Sequence, residues 1–249
     1  MKLYLLGATG NSGRRILRFA LERGHEVTAF VRDQNKLLNM MGRSMPQGLH
    51  VIAGDINKPT EMARAMAGHN VVINAAGHVT EGDRFTQLVQ NVIQHASNAL
   101  GAAGRLWQFG GAAVLDVPGT DIMAVDLPMV PRVYEAHRTN LHALRKSSLD
   151  WSMLCPGPMI DAPDGKPTKG LRLAVDQWPV DRPYYSYVLP RAALALAFRQ
   201  KVPELTTTYE DAANVILDNL NRNGRFSRKR VGVALPPGLR NYKDDVPGR

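Results

Sequence analysis

Two rhythms of apolar and polar positions alternate along this chain. Residues 2–6 (KLYLL) form a short apolar run, as expected of a parallel strand buried on both faces. Beyond a glycine-containing turn, Ile16, Leu17, Ala20 and Leu21 recur at helical spacing, and Gly24 supplies a stop signal. Residues 25–32 (HEVTAFVR) make a second β-branched and aromatic run, so strand, turn, helix and strand fill one βαβ unit of about 30 residues. The pattern then repeats. Residues 48–56 read as a strand, 58–68 as a helix with Pro59 in its first turn and Gly68 past its end, and 70–77 as a strand ending in small residues. From 83 to 100, Phe85, Leu88, Val89, Val92, Ile93, Ala96 and Leu100 lie on one helical stripe. A strand at 105–113, a helix near 132–147 and a strand at 150–157 follow. Strands separated by helices predict an α/β fold, a doubly wound parallel sheet with helices on both faces.

Past Pro158 the rhythm breaks. Residues 161–190 hold several prolines and the aromatic group YYSY (184–187), and predict an irregular segment over the strand ends. A short helix is expected at 191–200. A firmer one is expected at 206–220, where Thr208 and Asp211 have capping-box spacing with Asp in place of Glu or Gln. Residues 231–235 could form a last strand, and the tail to Arg249 is expected to be loosely held. The domain expectation is one unit over 1–249, with 158–205 forming most of a small substrate-side lobe. Trp107 and Trp151, at strand positions, are expected in the core.

Composition narrows the class. Apolar content of 44% and charged content of 21% in 249 residues suit a soluble globular protein. No apolar run reaches the ~20 residues of a membrane span, and the first residues lack the small-residue cleavage site of a secretory leader. The single cysteine, Cys155, excludes an internal disulfide. A cytoplasmic protein is the expectation. A net charge of +9 asks for an explanation, and part of it sits in NRNGRFSRKR at 221–230. Without zinc spacing, an RNA-binding aromatic signature or heptads beside it, nucleic acid is not the expected partner.

The first turn carries the chemistry. GATGNSG (7–13) follows a strand and opens a helix. Gly7 lets the chain leave the strand sharply, Gly10 lets backbone approach a pyrophosphate, and Gly13 lets helix and sheet pack closely. Amides around Asn11, Ser12 and Gly13 point outward at the positive helix end. Gly7, Thr9, Gly10, Asn11, Ser12 and Gly13 are therefore the candidate phosphate cradle, although the first gap is one residue longer than in G-x-G-x-x-G. The second strand ends in VRD. A guanidinium there can grip a 2′-phosphate, so Arg32 argues for NADP, helped by Arg14 or Lys36. Alternatively Arg32 points to solvent and Asp33 takes the free ribose of NAD. NADP is the cofactor expected, ahead of NAD.

GATGNSG, VRD, GDI (54–56) and NAAG (74–77), with FGGAAVLDVPG (109–119) and LDWSMLCPGPM (149–159), closely resemble the atypical short-chain dehydrogenase/reductase group, also called NmrA-like. The branch resembled is that of NADH-flavin reductases, related to flavin/biliverdin reductases. The resemblance covers about residues 1–160 well, and the remainder weakly through TTTYEDAANVIL (206–217). It implies a Rossmann-like fold in which Asp55 and Ile56 frame the adenine and Ala75, Ala76 and Gly77 line the cofactor. It also places Gly110, Gly111, Cys155, Pro156 and Gly157 near the nicotinamide. NAAG could instead be small only for packing.

The wider superfamily uses Tyr-x-x-x-Lys, in which lysine and ribose lower the tyrosine pKa for proton exchange. Here, counting back from LRKSSLDW (144–151), His137 falls at the lysine position and Val133 at the tyrosine position. Tyr134 is displaced by one, though Tyr134 and Arg138 keep the spacing. One residue is about 100° of helix rotation, so both registers cannot face the nicotinamide. The candidate catalytic residues are His137, as a ribose or proton-relay group, and Tyr134. A helix-surface role for His137 is the alternative. His142, at i+5, makes no zinc pair with His137, and no metal site is expected. Cys155 reads as a small wall residue rather than a redox thiol. His78 could flank the substrate or cap a loop, and Tyr184, Tyr185 and Tyr187 could stack on a planar acceptor or pack the lobe.

The function expected is an NADPH-dependent reductase of a planar small-molecule acceptor such as a flavin or quinone, whose delocalised charge needs little acid catalysis. A non-catalytic NADP-binding redox sensor is the alternative from another class. A nucleotide-sugar epimerase or dehydratase is disfavoured by the missing Tyr-Lys pair.

Overall fold

A computed structural model describes residues 1–42, 45–56, 58–101, 104–128, 130–181 and 191–243. In chain order the elements are β1 (Lys2–Leu6), α1 (Asn11–Glu22), β2 (Glu26–Val31), α2 (Gln34–Met40), β3 (Leu49–Ala53), α3 (Pro59–Met66), β4 (Val71–Asn74), α4 (Asp83–Leu100) and β5 (Arg105–Phe109). Then come α5 (Glu135–Lys146), β6 (Asp150–Cys155), β7 (Met159–Ile160), β8 (Arg172–Val175), α6 (Arg191–Leu205), β9 (Thr207–Thr208), α7 (Tyr209–Leu217) and β10 (Lys229–Ala234).

The main sheet has eight strands in the order β3-β2-β1-β4-β5-β6-β10-β8. Its pairings are parallel except that of β8 on β10. The expected Rossmann-like, doubly wound architecture is what forms, and the direction of winding reverses between β1 and β4. Their register, Leu3 on Val71 through Leu6 on Asn74, brings both strands to the same rim. The loops after them therefore face each other where this fold binds ligands.

Side chains alternate across the sheet, and helices cover both faces. Leu3, Leu5, Val27, Ile73, Trp107 and Val231 pack with Ile16, Leu17, Leu37 and Ile216 from α1, α2 and α7. On the other face Tyr4, Leu6, Val72, Leu106, Trp151 and Met153 pack with Met62, Val89, Val92, Leu141 and Leu144 from α3, α4 and α5. Both expected core tryptophans are buried, one in each layer.

The structure departs from the pattern in two places. Helix α2 was not anticipated, because its seven residues carry too few apolar positions to show a period. The segment after Pro158 is more regular than expected: β7 pairs with β9, β8 closes one sheet edge antiparallel to β10, and α6 continues to Leu205. The YYSY group lies outside the described residues. Helix α7 runs parallel to α1, with Asn11 beside Tyr209 at one end and Arg23 beside Asp218 at the other. No described helix is long and apolar enough to cross a membrane.

Candidate functional site

The glycine turn is closed on itself. The Gly10 amide donates to the Gly7 carbonyl at 2.9 Å, and Gly7 sits at φ +79°, open to glycine but strained for other residues. A Cβ on Gly7 would lie 2.4 Å from the Ala75 carbonyl oxygen, and one on Gly13 would lie 2.0 Å from that of Gly7. These two hydrogens let the turn, the NAAG segment and α1 meet. Helix α1 starts with neither a side-chain cap nor an acidic residue in its first turn, whereas neighbouring α7 has the expected Thr208–Asp211 capping box and two acidic residues there. Of two adjacent positive helix ends, α7's is neutralised by its own side chains and α1's is left open to an anion. Asn11 and Gly10 are exposed, and Ser12, Thr9 and Gly7 are half-buried.

At the end of β2, Asp33 accepts the Lys36 amide at 3.1 Å and caps α2. Its neighbour Arg32 is exposed and makes no ion pair or hydrogen bond with the described residues. Arg14 lies 3.9 Å from Asp161, and Lys36 is exposed. Asp55 is half-buried, its amide 3.5 Å from a Glu61 carboxylate oxygen. The Ile56 side chain packs in the core with Phe30 and Met62.

Asn74, fully buried at the end of β4, shapes the NAAG segment. Its carbonyl accepts the Ala76 amide at 3.1 Å and its amide donates to Gln108 at 2.8 Å, so β4 and β5 are tied below the rim. Ala75 and Ala76 are half-buried, and Gly77, at φ +89°, passes so near Phe85 that a Cβ would lie 2.7 Å from its ring. The end of β6 mirrors this arrangement. Gly110 donates to Leu154 and Ala112 to the Pro156 carbonyl, while Gly157 packs against Leu205. Cys155 is buried behind Gly110, and its thiol is pushed up to about 12, chiefly by burial. Burial of this kind keeps a thiol protonated and unreactive.

His137 faces this rim. Its ring lies 3.0 Å from where a Gly111 Cβ would stand, edge-on to Phe85 at 5.6 Å and stacked with Tyr134 at 6.3 Å. It is buried, which corrects the surface alternative. Burial, with His78 as a second cause, lowers its pKa to about 4, so the imidazole is neutral at pH 7. Tyr134 is half-buried, in the short 3₁₀ turn (Arg132–Tyr134) that leads into α5. Arg138 is held by Asp126 at 2.5 Å and Glu135 at 3.4 Å, which takes it out of a Tyr134–Arg138 pair. His78 is exposed and caps a 3₁₀ turn, its Nδ1 2.7 Å from the Thr80 hydroxyl. His142 is exposed, away from the buried His137.

Four residues escaped sequence reasoning. Tyr209 reaches Asn11 at 3.4 Å, a contact between positions 198 apart that no local pattern encodes. The Asn74–Gln108 pair could have been suspected from polar residues in otherwise apolar strands. Asn140, fully buried one helical turn after His137, broke the apolar stripe of α5 and carried no motif.

Fold, switch point and open helix end define a dinucleotide-binding protein. The chain belongs to the NAD(P)H-binding family, whose model matches residues 7–196. It is 27% identical over 244 residues to the uncharacterized protein YwnB of Bacillus subtilis, covering 91% of this chain and 97% of that one. Among solved structures, a Veillonella parvula short-chain dehydrogenase/reductase in complex with NADP superposes with a TM-score of 0.68, at 15% identity over 98% of this chain and 99% of that one. ChuY, an anaerobilin reductase of Escherichia coli O157:H7, gives 0.66 at 19% identity over 97% of this chain and all of the other. At such identities these structures speak for the fold alone.

Proposed function

We propose that this protein is an NADPH-dependent reductase that passes hydride to a planar acceptor such as a flavin or quinone. The observation that carries the cofactor choice lies at the end of β2, where Arg32 has no ion-pair partner among the described residues while Asp33 is occupied as the cap of α2. A carboxylate busy with its own helix holds a ribose poorly, and a free guanidinium suits a 2′-phosphate. The cradle fits the pyrophosphate, since α1 opens there with no side-chain cap and no acidic residue in its first turn, beside the exposed Gly10 and Asn11. Gly7, Thr9, Gly10, Asn11, Ser12 and Gly13 would hold the phosphates, Arg32 the 2′-phosphate, and Asp55 with the Ile56 backbone the adenine. Ala75, Ala76, Gly77, Gly110, Pro156 and Gly157 would line the nicotinamide half, backed by Cys155.

NADPH supplies the hydride when bound. The chain's own part is to orient the nicotinamide and to exclude bulk from its exposed face through small residues. His137 holds a ribose hydroxyl or relays a proton as a neutral imidazole, and Tyr134 stacks behind it. We assign residues 158–205 to the acceptor-side lobe and the protein to the cytoplasm, on its one buried thiol.

A second reading, an NADP-binding redox sensor without turnover, is favoured by the loss of Arg138 to two carboxylates. One experiment separates them: thermal-shift titration with NADPH and NADH on the parent and Arg32→Ala, followed by NADPH oxidation with FMN, FAD and a quinone. The reductase reading expects a larger shift with NADPH, lost in the variant, and oxidation with at least one acceptor. Equal shifts for both nucleotides overturn the NADP choice. Stabilisation without any oxidation makes the protein a sensor.

A further inference from the structure

Helix α5 carries an uncompensated polar pair on its buried side. Asn140 is fully buried, and neither its Oδ1 nor its Nδ2 has a partner among the described residues. His137, three residues earlier, is also buried and its Nδ1 is likewise orphaned. Residues at i and i+3 on a helix have Cβ atoms about 5–6 Å apart on one face. The two groups make no direct hydrogen bond with each other, and one water bound to both would supply each with a partner. Leaving an amide buried and unbonded is costly, and buried polar groups of this kind are ordinarily satisfied by an internal water. Nothing in packing calls for an amide here, because the layer around α5 is apolar.

We propose that Asn140 is a positioning residue, joined to His137 Nδ1 through a buried water, that fixes the imidazole with Nε2 toward Gly111 and the nicotinamide end. The inference rests on the reading of His137 given above. It goes further by explaining how a neutral ring, stacked on Tyr134 and edge-on to Phe85 but otherwise unbonded, keeps one orientation. The charged and titratable neighbours are few: His78 acts on the ring from the turn after β4, and Tyr134 lies against it from its own segment.

The test needs both a structure and a titration. A crystal structure with ordered solvent is expected to show a water within hydrogen-bond distance of His137 Nδ1 and of the Asn140 amide. Asn140→Leu removes both polar atoms and keeps a side chain branched at Cγ. It is expected to abolish that water and to move the ¹⁵N resonance of His137 Nδ1 in NMR. Where an acceptor is reduced, the same variant lowers kcat and leaves the KM for NADPH unchanged. Asn140→Ser, which keeps a hydroxyl, restores part of the loss. A parent structure without the water, or His137 resonances identical in parent and Asn140→Leu, overturns the proposal. So does an unchanged kcat in a folded Asn140→Leu. If no acceptor is reduced, the reductase reading fails by itself, and the solvent and NMR results still decide the role of Asn140.

Discussion

One methyl group separates folding from binding at the first turn. A Cβ on Gly13 would strike the backbone of Gly7 at 2.0 Å, where no side chain can yield, so Gly13→Ala is expected to cost about 3 kcal/mol and to be read as a lower Tm without ligand. Gly10 differs: its nearest obstacle is the Gly7 oxygen at 3.3 Å, and its φ is −83°. Gly10→Ala should therefore keep the apo Tm within a few degrees while losing the stabilisation by NADPH. His137 makes a second test at this scale. Its pKa is lowered to about 4 in the folded chain, first by burial, so the unfolded chain binds the extra proton between the ordinary His value and about 4. Stability should fall as pH drops from about 6.5 towards 4, by about 3 kcal/mol at most. His137→Phe should flatten that part of a pH–denaturation profile. At this scale the glycines were legible because their spacing follows a strand and precedes a helix. Asp33 was not, because its role depends on α2, which had no period to betray it. The burial of His137 was hidden too, since its neighbours Phe85 and Gly111 come from distant segments.

Pairs of elements carry the phosphate site as a unit. α1 and α7 lie parallel, and Arg15 of α1 joins Glu210 of α7 at 2.9 Å and also binds Asp161 after β7. Arg15 and Glu210 are 13% and 3% exposed, so breaking their pair leaves a charge without water. Arg15→Met is expected to cost about 3–5 kcal/mol in denaturant unfolding, and Arg15→Met with Glu210→Gln to recover much of it. Burial raises the Glu210 carboxyl, but bonds from Arg15 and the Ala162 amide outweigh it and hold the pKa below the ordinary carboxylate value. The sign follows: the contribution is present above the unfolded value of about 4.3 and is lost as pH falls through the folded one, and Glu210→Gln should remove that acid step. Local pattern revealed the cap of α7 through Thr208 and Asp211, and the full length of α4. It could not reveal that α7 seats on α1, a contact 195 residues apart between Arg15 and Glu210. Nor could it reveal β8, four half-buried edge residues with no alternation.

Across the whole molecule, the fold class was legible because seven apolar strand runs alternated with helical periods. The use of the charge was not, and the basic run near the C-terminal end shows why. Arg228, at φ +55°, donates to the carbonyls of Arg145, Ser147 and Leu149, where α5 ends and its dipole is negative. Arg230 is buried, bidentate on Asp116 and bonded to Asp176, while Lys229 lies 3.4 Å from Asp176 and Arg225 covers the Phe226 ring. A sequence count registers five basic residues at 222–230, but most of them fasten β10 and its approach to the rest of the sheet. Charge already neutralised by carbonyls and carboxylates releases few counterions from a polyanion, so it adds little to affinity. The protein is therefore expected not to retard a random DNA duplex in a gel at physiological salt. Arg228→Ala should lower stability by about 1 kcal/mol through the lost helix-end bonds, with DNA mobility unchanged. A duplex held at that salt and released by Arg228→Ala would instead make the run a binding surface, and the +9 charge a functional property in its own right.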